Sequence, residues 1–520
     1  MANTSSIPIK WWNNLHENGP WPAGFFHDTF LIHQADMPIS IDRYNDAAVE
    51  IQRLLQLALD QKEGFRAIGS RWSLSHIAHQ KHHIHSNQSM NLKISIGDSD
   101  LHADSEYLAE NLFFLECGNV IKEVHNFLNS RGKSMRTTGA SNGQTIAGCI
   151  STGVHGSALD VGSVQDCVVG IDLITGPGSQ DRVYLERESR PALSDVFALS
   201  LQSRVIRDDL LFNAALVSLG SFDFIHGVVI EAETRFLLKR YVKRVDKDLA
   251  VALAGSLDFA DSPVSIPEEI DEHGKGIRPY HYKVFINPYV DDKEYVVEMM
   301  YKKPYQPNYP DPIPGIKTAL YRDLIHLFIQ IAQKWQNSIP KLIAILETSI
   351  LPPVDQVLTG KISEMFYDAG YQGPAFACSV GVDHRNAPRA LELLVRLARE
   401  EGPIPGIYAM RFVKQSAATL AFTRFPVTCM IEIDGINWEA QEHGMISLER
   451  FCTRMIEVLK DEGIAFTLHW GKNADWEFPD LVSLMYGQQA EDWKAQRRKF
   501  LSPEHQQLFT NGFLEDVGLQ

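Results

Sequence analysis

The chain reads as an α+β protein in two parts, a nucleotide-binding domain followed by a domain with an antiparallel sheet and flanking helices. Three observations carry this. Strand-like and helix-like segments alternate through the first 236 residues. Two Gly-bearing turns interrupt the alternation, and in the second, residues 137–157, five glycines and several small hydroxyl residues fall within 21 positions. The composition then changes near Phe236, beyond which charge, Tyr and Pro rise.

At 520 residues the chain exceeds one hydrophobic core. Its 44% hydrophobic and 22% charged content is that of an ordinary globular protein. Acidic residues outnumber basic ones by 65 to 49, for a net charge of −16, which argues against nucleic acid and anionic membrane surfaces as partners. No apolar run at the start has signal-peptide form, and none later is long enough to span a bilayer. Cys117, Cys149, Cys167, Cys378, Cys429 and Cys452 are scattered, without metal-finger spacing. They read as core thiols in a reducing compartment, which places the protein in a cytosol.

In chain order, residues 1–27 lack periodicity and read as an arm lying on the body. Ala48, Ile51, Leu55 and Ala58 form one face of a helix over 46–60, and 65–68 is a short strand ending at Gly69-Ser70. A strand over 111–117, a helix through Ile121, Val124 and Leu128, and a buried strand over 168–175 follow. Residues 208–236 read as a helix, Gly220, and a strand beginning after Gly227. In the second half, the Pro-dense piece 302–315 reads as a surface excursion or lid, and helical spacing returns over 318–338. Strands are expected over 375–382 and 427–433, and Leu448, Phe451, Met455 and Leu459 share a helix face that Gly463 ends. HWGK, 469–472, reads as a turn presenting His469 and Lys472 in one direction.

The Gly-rich stretch 137–157 buries little apolar surface and offers open backbone N–H groups, a surface suited to a large phosphate-bearing ligand. A plain surface loop is the bland alternative. RAIGSRWSLSHIA, 66–78, places a strand-to-loop turn where amides can wrap a pyrophosphate. No G-x-G-x-x-G follows a strand and opens a helix, so the domain is not of the Rossmann type. The five His of HIAHQKHHIH, 76–85, lack a carboxylate or Cys to complete a metal shell and read as a solvated loop. Tyr280, Tyr282 and Tyr289 alternate with apolar residues, either facing a pocket or packed in a sheet.

RAIGSRWSLSHIA, TGASNGQTIAGCISTGVHGS and HWGK, in this order, resemble the vanillyl-alcohol-oxidase-type (PCMH-type) FAD-linked oxidoreductases. The sugar-lactone and alditol oxidase branch is nearest, and the flavin-dependent cholesterol oxidases lie further off. The resemblance also takes in VVGIDLITG, VSLGSFDFIHGVVIEA and the tail, nearly the whole chain. It implies a two-part FAD-binding domain over 28–236, a cap domain over 237–475, and a tail over 476–520 that returns to the flavin domain. It further implies FAD and oxidation of a C–OH carbon (alcohol, polyol, lactone or similar) by hydride transfer to flavin N5. O2 or another carrier would accept the electrons.

Carried over by position, Gly69, Ser70, Arg71, Ser73 and Leu74 match the first phosphate loop. Ala140, Ser141, Gln144, Thr145 and Gly148 match the second, with Ser151, Thr152, Gly153, His155 and Gly156 running on along ribityl chain and ring. Gly227, Val228 and Val229 match a strand start whose backbone meets the flavin, and His469 and Lys472 match a pair near the ring. Two departures stand out. Trp72 occupies the place of a His that much of the family bonds to the flavin, so non-covalent FAD is expected, with His76 or His79 as a shifted attachment point otherwise. In IYAMRFVKQS, 407–416, Arg411 of a Glu-x-Arg pattern is kept but Ala409 replaces the Glu. Arg411 and Lys472 are the cations expected to offset charge at the flavin during hydride transfer, with His469 taking or sharing the hydroxyl proton. No metal is expected. The alternative is a flavin-binding scaffold or ligand carrier without this redox role.

Overall fold

The computed structural model describes residues 2–31, 40–290, 293–310, 331–332, 334–351, 353–366, 374–438 and 446–520. Its architecture rests on sheets of four, six and eight strands. The four-stranded sheet runs Ala2–Pro8, Phe25–Leu31, His83–Ser86, Phe65–Ile68. The expected N-terminal arm is therefore corrected. Ala2–Pro8 pairs antiparallel with Phe25–Leu31, which in turn pairs in parallel with His83–Ser86. An edge strand with so little to bury carries no apolar alternation, which is why periodicity did not reveal it.

The His-rich run is likewise not a solvated loop. His83 and His85 are 1% and 0% exposed, on a strand in the sheet interior. His27 Nε2 lies 3.0 Å from His83 Nδ1, and Thr29 Oγ1 lies 2.8 Å from His85 Nε2. These partners make burial of the imidazoles tolerable. Among the described residues no cluster of His, Cys, Asp and Glu forms a metal site.

The helix Ile41–Gln61 buries Ala48, Ile51, Leu55 and Ala58. The six-stranded sheet, in the order Arg204–Arg207, Arg182–Glu186, Val168–Ile174, Phe224–Glu231, Leu112–Glu116, Lys93–Ser95, has the wholly buried Val168–Ile174 near its centre. Phe224–Glu231 begins before Gly227, not after it, so Gly227 lies within the sheet, opposite Glu116 and Asp172.

The eight-stranded sheet is antiparallel throughout and runs Leu358–Gly360, Phe236–Asp246, Glu294–Pro304, His281–Ile286, Gly406–Lys414, Val427–Ile436, Ala375–Asp383, Phe466–Leu468. The helices Lys247–Ser256, Ala387–Glu400 and Leu448–Asp461 pack against it and one another, the last burying Phe451, Met455 and Leu459. Of the Pro-dense piece, 302–304 close the strand Glu294–Pro304, whereas 311–315 lie outside the described residues, as do 318–330 of the expected helix. Tyr282 is packed in the sheet, stacked on Phe412, and the Tyr280 and Tyr289 hydroxyls donate to the carbonyls of Arg136 and Ile404.

The tail folds into four helices and docks on the first domain. Trp493 Nε1 donates to the Ala214 carbonyl at 3.1 Å, and Arg497 Nε donates to that of Ser221 at 3.0 Å. Among the described residues no helix is long and apolar enough to cross a membrane. All six cysteines are buried and free.

Candidate cofactor and active site

A cavity of about 340 Å³ opens between the two Gly-bearing loops and the eight-stranded sheet. The first loop leaves the strand Phe65–Ile68 and is pinned at both ends. Asn14 Nδ2 donates to the Ser73 carbonyl at 2.7 Å, and the Leu74 amide donates to the Gly471 carbonyl at 2.8 Å. The second contact fastens this loop to the HWGK turn, as does Ser75 Oγ on the Trp470 carbonyl. The two loops press so closely that a Cβ on Gly69 would lie 2.0 Å from Thr145 Oγ1, and one on Gly143 2.6 Å from the Trp72 ring. Only hydrogen fits at either place. Arg71 holds φ at 61°, a conformation that non-Gly residues seldom adopt outside turns and functional loops.

Gly69, Ser70, Arg71, Trp72, Ser73 and Leu74 all line the cavity, as do Ala140, Ser141, Gln144, Thr145, Gly148, Ser151, Thr152 and His155. Gly153 and Gly156 do not. Gly153, at φ 73°, ends the helix Ile146–Thr152, and Gly156 packs against Thr137 and Thr138. Gly227, Val228 and Val229 are also away from the cavity, within the six-stranded sheet, where a Cβ on Gly227 would meet Phe114 at 2.5 Å. The same segment reaches the cavity earlier, through Leu219, Gly220, Asp223 and Ile225.

Ser70 Oγ, Gln144 Oε1, Thr145 Oγ1 and both carboxylate oxygens of Asp223 are buried without a hydrogen-bond partner among the described residues. Buried polar atoms are normally paired, so these loops have the donor and acceptor set of a site that a polar ligand completes. The hydroxyls and loop amides suit phosphate, while Asp223 suits hydroxyl or amine donors. Burial alone pushes the Asp223 carboxyl well above the usual carboxylate range, with no cation acting on it. The residues fit a dinucleotide such as FAD.

Trp72 lies against Gly143 with its ring 5.6 Å from His16, edge to face. His76 and His79, the expected alternatives for flavin attachment, do not line the cavity. His76 pairs with Asp516 at 2.8 Å, and His79 Nε2 donates to the Pro22 carbonyl. The histidines that do line it are His16, His155 and His469.

The cap sheet supplies the opposite wall. Arg411, Lys472 and His469 reach the cavity as expected, joined by Lys283, Glu432 and Asp434, which sequence reasoning did not find. Ala409 stands in register with Glu432 on the neighbouring strand. A carboxylate thus stands across the sheet from the position where the Glu-x-Arg pattern would carry its Glu. Arg411 Nε donates to Glu432 Oε2 at 2.5 Å and Nη2 to Oε1, while Lys472 Nζ reaches Oε1 at 2.8 Å and Asp434 Oδ1 at 3.4 Å. Burial drives the Glu432 carboxyl upward, but Arg411 and Lys472 together hold it well below the usual carboxylate range.

Their surroundings favour the neutral form of His155 and His469. Burial first, then Lys472, pushes His469 down to about 3, and burial with Arg411 holds His155 well below its ordinary value. His469 Nδ1 accepts from the Gly471 amide at 3.1 Å, so Nε2 carries the proton. His155 Nδ1 donates to the Gly156 carbonyl at 3.2 Å, which leaves Nε2 an acceptor. The expected role of His469 as proton acceptor does not suit this tautomer.

Fold and cavity together suit a protein that holds FAD between two glycine-bearing loops and a capping sheet. Residues 46–183 match the family model described as "FAD binding domain", so the chain carries an FAD-binding domain. Over the whole chain the fold is that of cholesterol oxidase from B. sterolicum, with 13% identity, 99% of this chain and 97% of that one covered, and a TM-score of 0.64. A solvent-stable cholesterol oxidase aligns at 12% identity over 98% and 97%, with a TM-score of 0.68.

Sequence relatives are narrower matches. L-gulonolactone oxidase 3 of Arabidopsis thaliana is 35% identical over 123 residues, 23% of this chain and 19% of that protein. D-arabinono-1,4-lactone oxidase of Candida glabrata is 27% identical over 125 residues, 24% and 20%. The chain thus spans about a fifth of the length of these curated relatives.

Proposed function

We propose that this protein is an FAD-dependent oxidoreductase that oxidises a C–OH carbon by hydride transfer to flavin N5, with O2 or another carrier as final acceptor. One observation carries the reading. The loops whose buried polar atoms await a ligand open into the same cavity as Arg411, Glu432 and Lys472. The names of the lactone oxidases that match part of the chain support it. A reducing compartment such as a cytosol suits the six free thiols.

Ser70, Thr145 and the loop amides would hold the pyrophosphate, and Asp223 the nucleotide's hydroxyl or amine donors. When bound, the flavin supplies the hydride-accepting nitrogen. Arg411 and Lys472 fix positive charge at the cap wall before reaction, so no reorganisation is needed as charge shifts. His469 Nε2–H orients the substrate oxygen, and His155 Nε2 accepts from its hydroxyl. Trp72 offers no atom suited to a flavin bond, and the FAD is held non-covalently.

The test is the visible spectrum of the purified protein, repeated on the supernatant after acid precipitation, then anaerobic titration with alcohols, polyols, lactones, sterols and hydroxy acids. Flavin bands recovered wholly in the supernatant and bleached by one donor class support the proposal. Colour kept in the pellet refutes non-covalent binding and directs attention to His16, His155 or His469. Bound FAD that no donor bleaches favours a scaffold or carrier.

A further inference from the structure

The cap wall holds more positive charge than it neutralises. Across its strands a charged row runs from Glu298 through Lys283 and Arg411 toward Glu432 and Lys472. Most of it is paired. Glu298 lies 3.7 Å from Arg240, Arg411 is clasped by Glu432, and Lys472 is shared between Glu432 and Asp434. Lys283 is the exception. It has neither an ion pair nor a hydrogen bond among the described residues, and its ammonium rests 4.3 Å above the Phe285 ring.

Its place makes this costly. Lys283 stands directly across from Arg411 in the sheet, and like charges facing each other across a strand pair repel. Burial and then Arg411 lower its affinity for the proton, against the weaker pull of Glu432, Glu298 and Asp434, none of which bonds it. Glu298, its register partner on the other side, is turned to Arg240. A half-buried cation that no carboxylate reaches within bonding distance is only partly offset, and its open side faces the cavity.

We infer that Lys283 receives the carboxylate of the substrate, making the preferred donor a hydroxy-carboxylate rather than a neutral polyol, lactone or sterol. The assignment rests on the oxidoreductase reading for its chemistry and on the charge row for its selectivity. In the reaction the C–H bond of the carbinol carbon breaks with its electron pair passing to the flavin. The O–H proton passes by way of His155 Nε2 to solvent, and the C–O bond becomes C=O. The carboxylate is unchanged and stays on Lys283. On the cap wall no second cation among the described residues lacks an ion pair, so a singly charged carboxylate is a better match there than a phosphate ester.

The test uses the FAD-loaded protein and pairs of donors that differ only in one terminal carboxylate, from glycolate against ethylene glycol to gluconate against sorbitol, with glucono-lactone beside them. A non-oxidisable dicarboxylate, oxalate, is titrated separately by its perturbation of the flavin absorption bands, a readout independent of turnover. Wild type is expected to bleach with hydroxy-carboxylates at far lower concentration than with their neutral partners. Lys283→Met should weaken both oxalate binding and the apparent KM for carboxylates by roughly 10- to 100-fold, the range expected for one charged hydrogen bond. Lys283→Arg should retain most of the binding and guards against a folding defect in the Met variant.

If neutral donors bleach as readily and oxalate leaves the spectrum unmoved, the inference is overturned while the oxidoreductase reading stands. If oxalate binds through Lys283 but no donor bleaches the flavin, the carboxylate site stands and the redox reading fails. If Lys283→Met lowers kcat equally for charged and neutral donors and shifts the pH profile, Lys283 is a base and the inference is wrong.

Discussion

The two walls of the cleft are made of different materials. The flavin-domain wall is glycine, small hydroxyls and backbone amides, with polar atoms left unpaired. The cap wall is charge on charge, with Lys283, Arg411, Glu432, Asp434 and Lys472 facing one cavity. The first wall recognises by close backbone approach and asks for little beyond the right turns. The second keeps buried charges that an apolar core would replace without loss of stability. On the proposed function the first wall holds the cofactor and the second handles the substrate.

If the walls work independently, damage to one should leave the other intact. The largest effect is expected for Glu432→Ala, which strips Arg411 and Lys472 of their shared carboxylate. Removing one member of a buried ionic cluster costs about 3–5 kcal/mol. Chemical denaturation should show that loss and flavin reduction should collapse, yet FAD affinity measured by fluorescence quenching should change little. Loss of FAD binding in this variant would break the comparison.

Gly69→Ala is the reciprocal case. Its new Cβ would sit 2.0 Å from Thr145 Oγ1, so the two loops must part. Overpacking of this kind costs roughly 1–3 kcal/mol, which should appear mainly as weaker FAD binding in a titration of the apoprotein. Asp223→Leu sharpens the same wall with a smaller effect. Removing a buried carboxylate whose oxygens lack partners should raise apoprotein stability by about 1–2 kcal/mol while weakening FAD binding. A variant less stable as apoprotein would mean that Asp223 serves the fold and not the nucleotide.

The walls also differ in how far the sequence disclosed them. Loops 69–74 and 140–148 are contiguous, and their glycines and hydroxyls lie together in the chain before any folding. Glu432, by contrast, meets Arg411 only through strand register, and nothing local marks Ala409 as its opposite number. Lys283, next to Tyr282 on its strand, carries no local mark for the same reason. Gly227–Val229 lie away from the cavity: a Gly followed by apolar residues describes a strand entering a sheet as well as one meeting a cofactor, and Asp223 and Ile225 reach the cavity first. His83 and His85 looked like surface residues because the partners that permit their burial, His27 and Thr29, come from a strand 56 residues away.

The smallest expected effect concerns pH. His469 is held at about 3 against an ordinary 6.5, so its ring titrates in the unfolded chain long before it does in the folded one. Between those values the unfolded state binds a proton that the native state refuses, and stability must fall as pH falls. The contribution is whole above 6.5 and declines below it, by about 1 kcal/mol on going from pH 6.5 to 5.5. His469→Gln removes this dependence, so the stability gap between wild type and variant should narrow over that interval in parallel denaturation curves. Flavin reduction at saturating donor should meanwhile show no limb near 6.5, because the resting rings of His155 and His469 both titrate well below it. A limb there that vanishes in His469→Gln would show that the ring takes up a second proton during turnover, and the cap wall would then gain a mobile charge among its fixed ones.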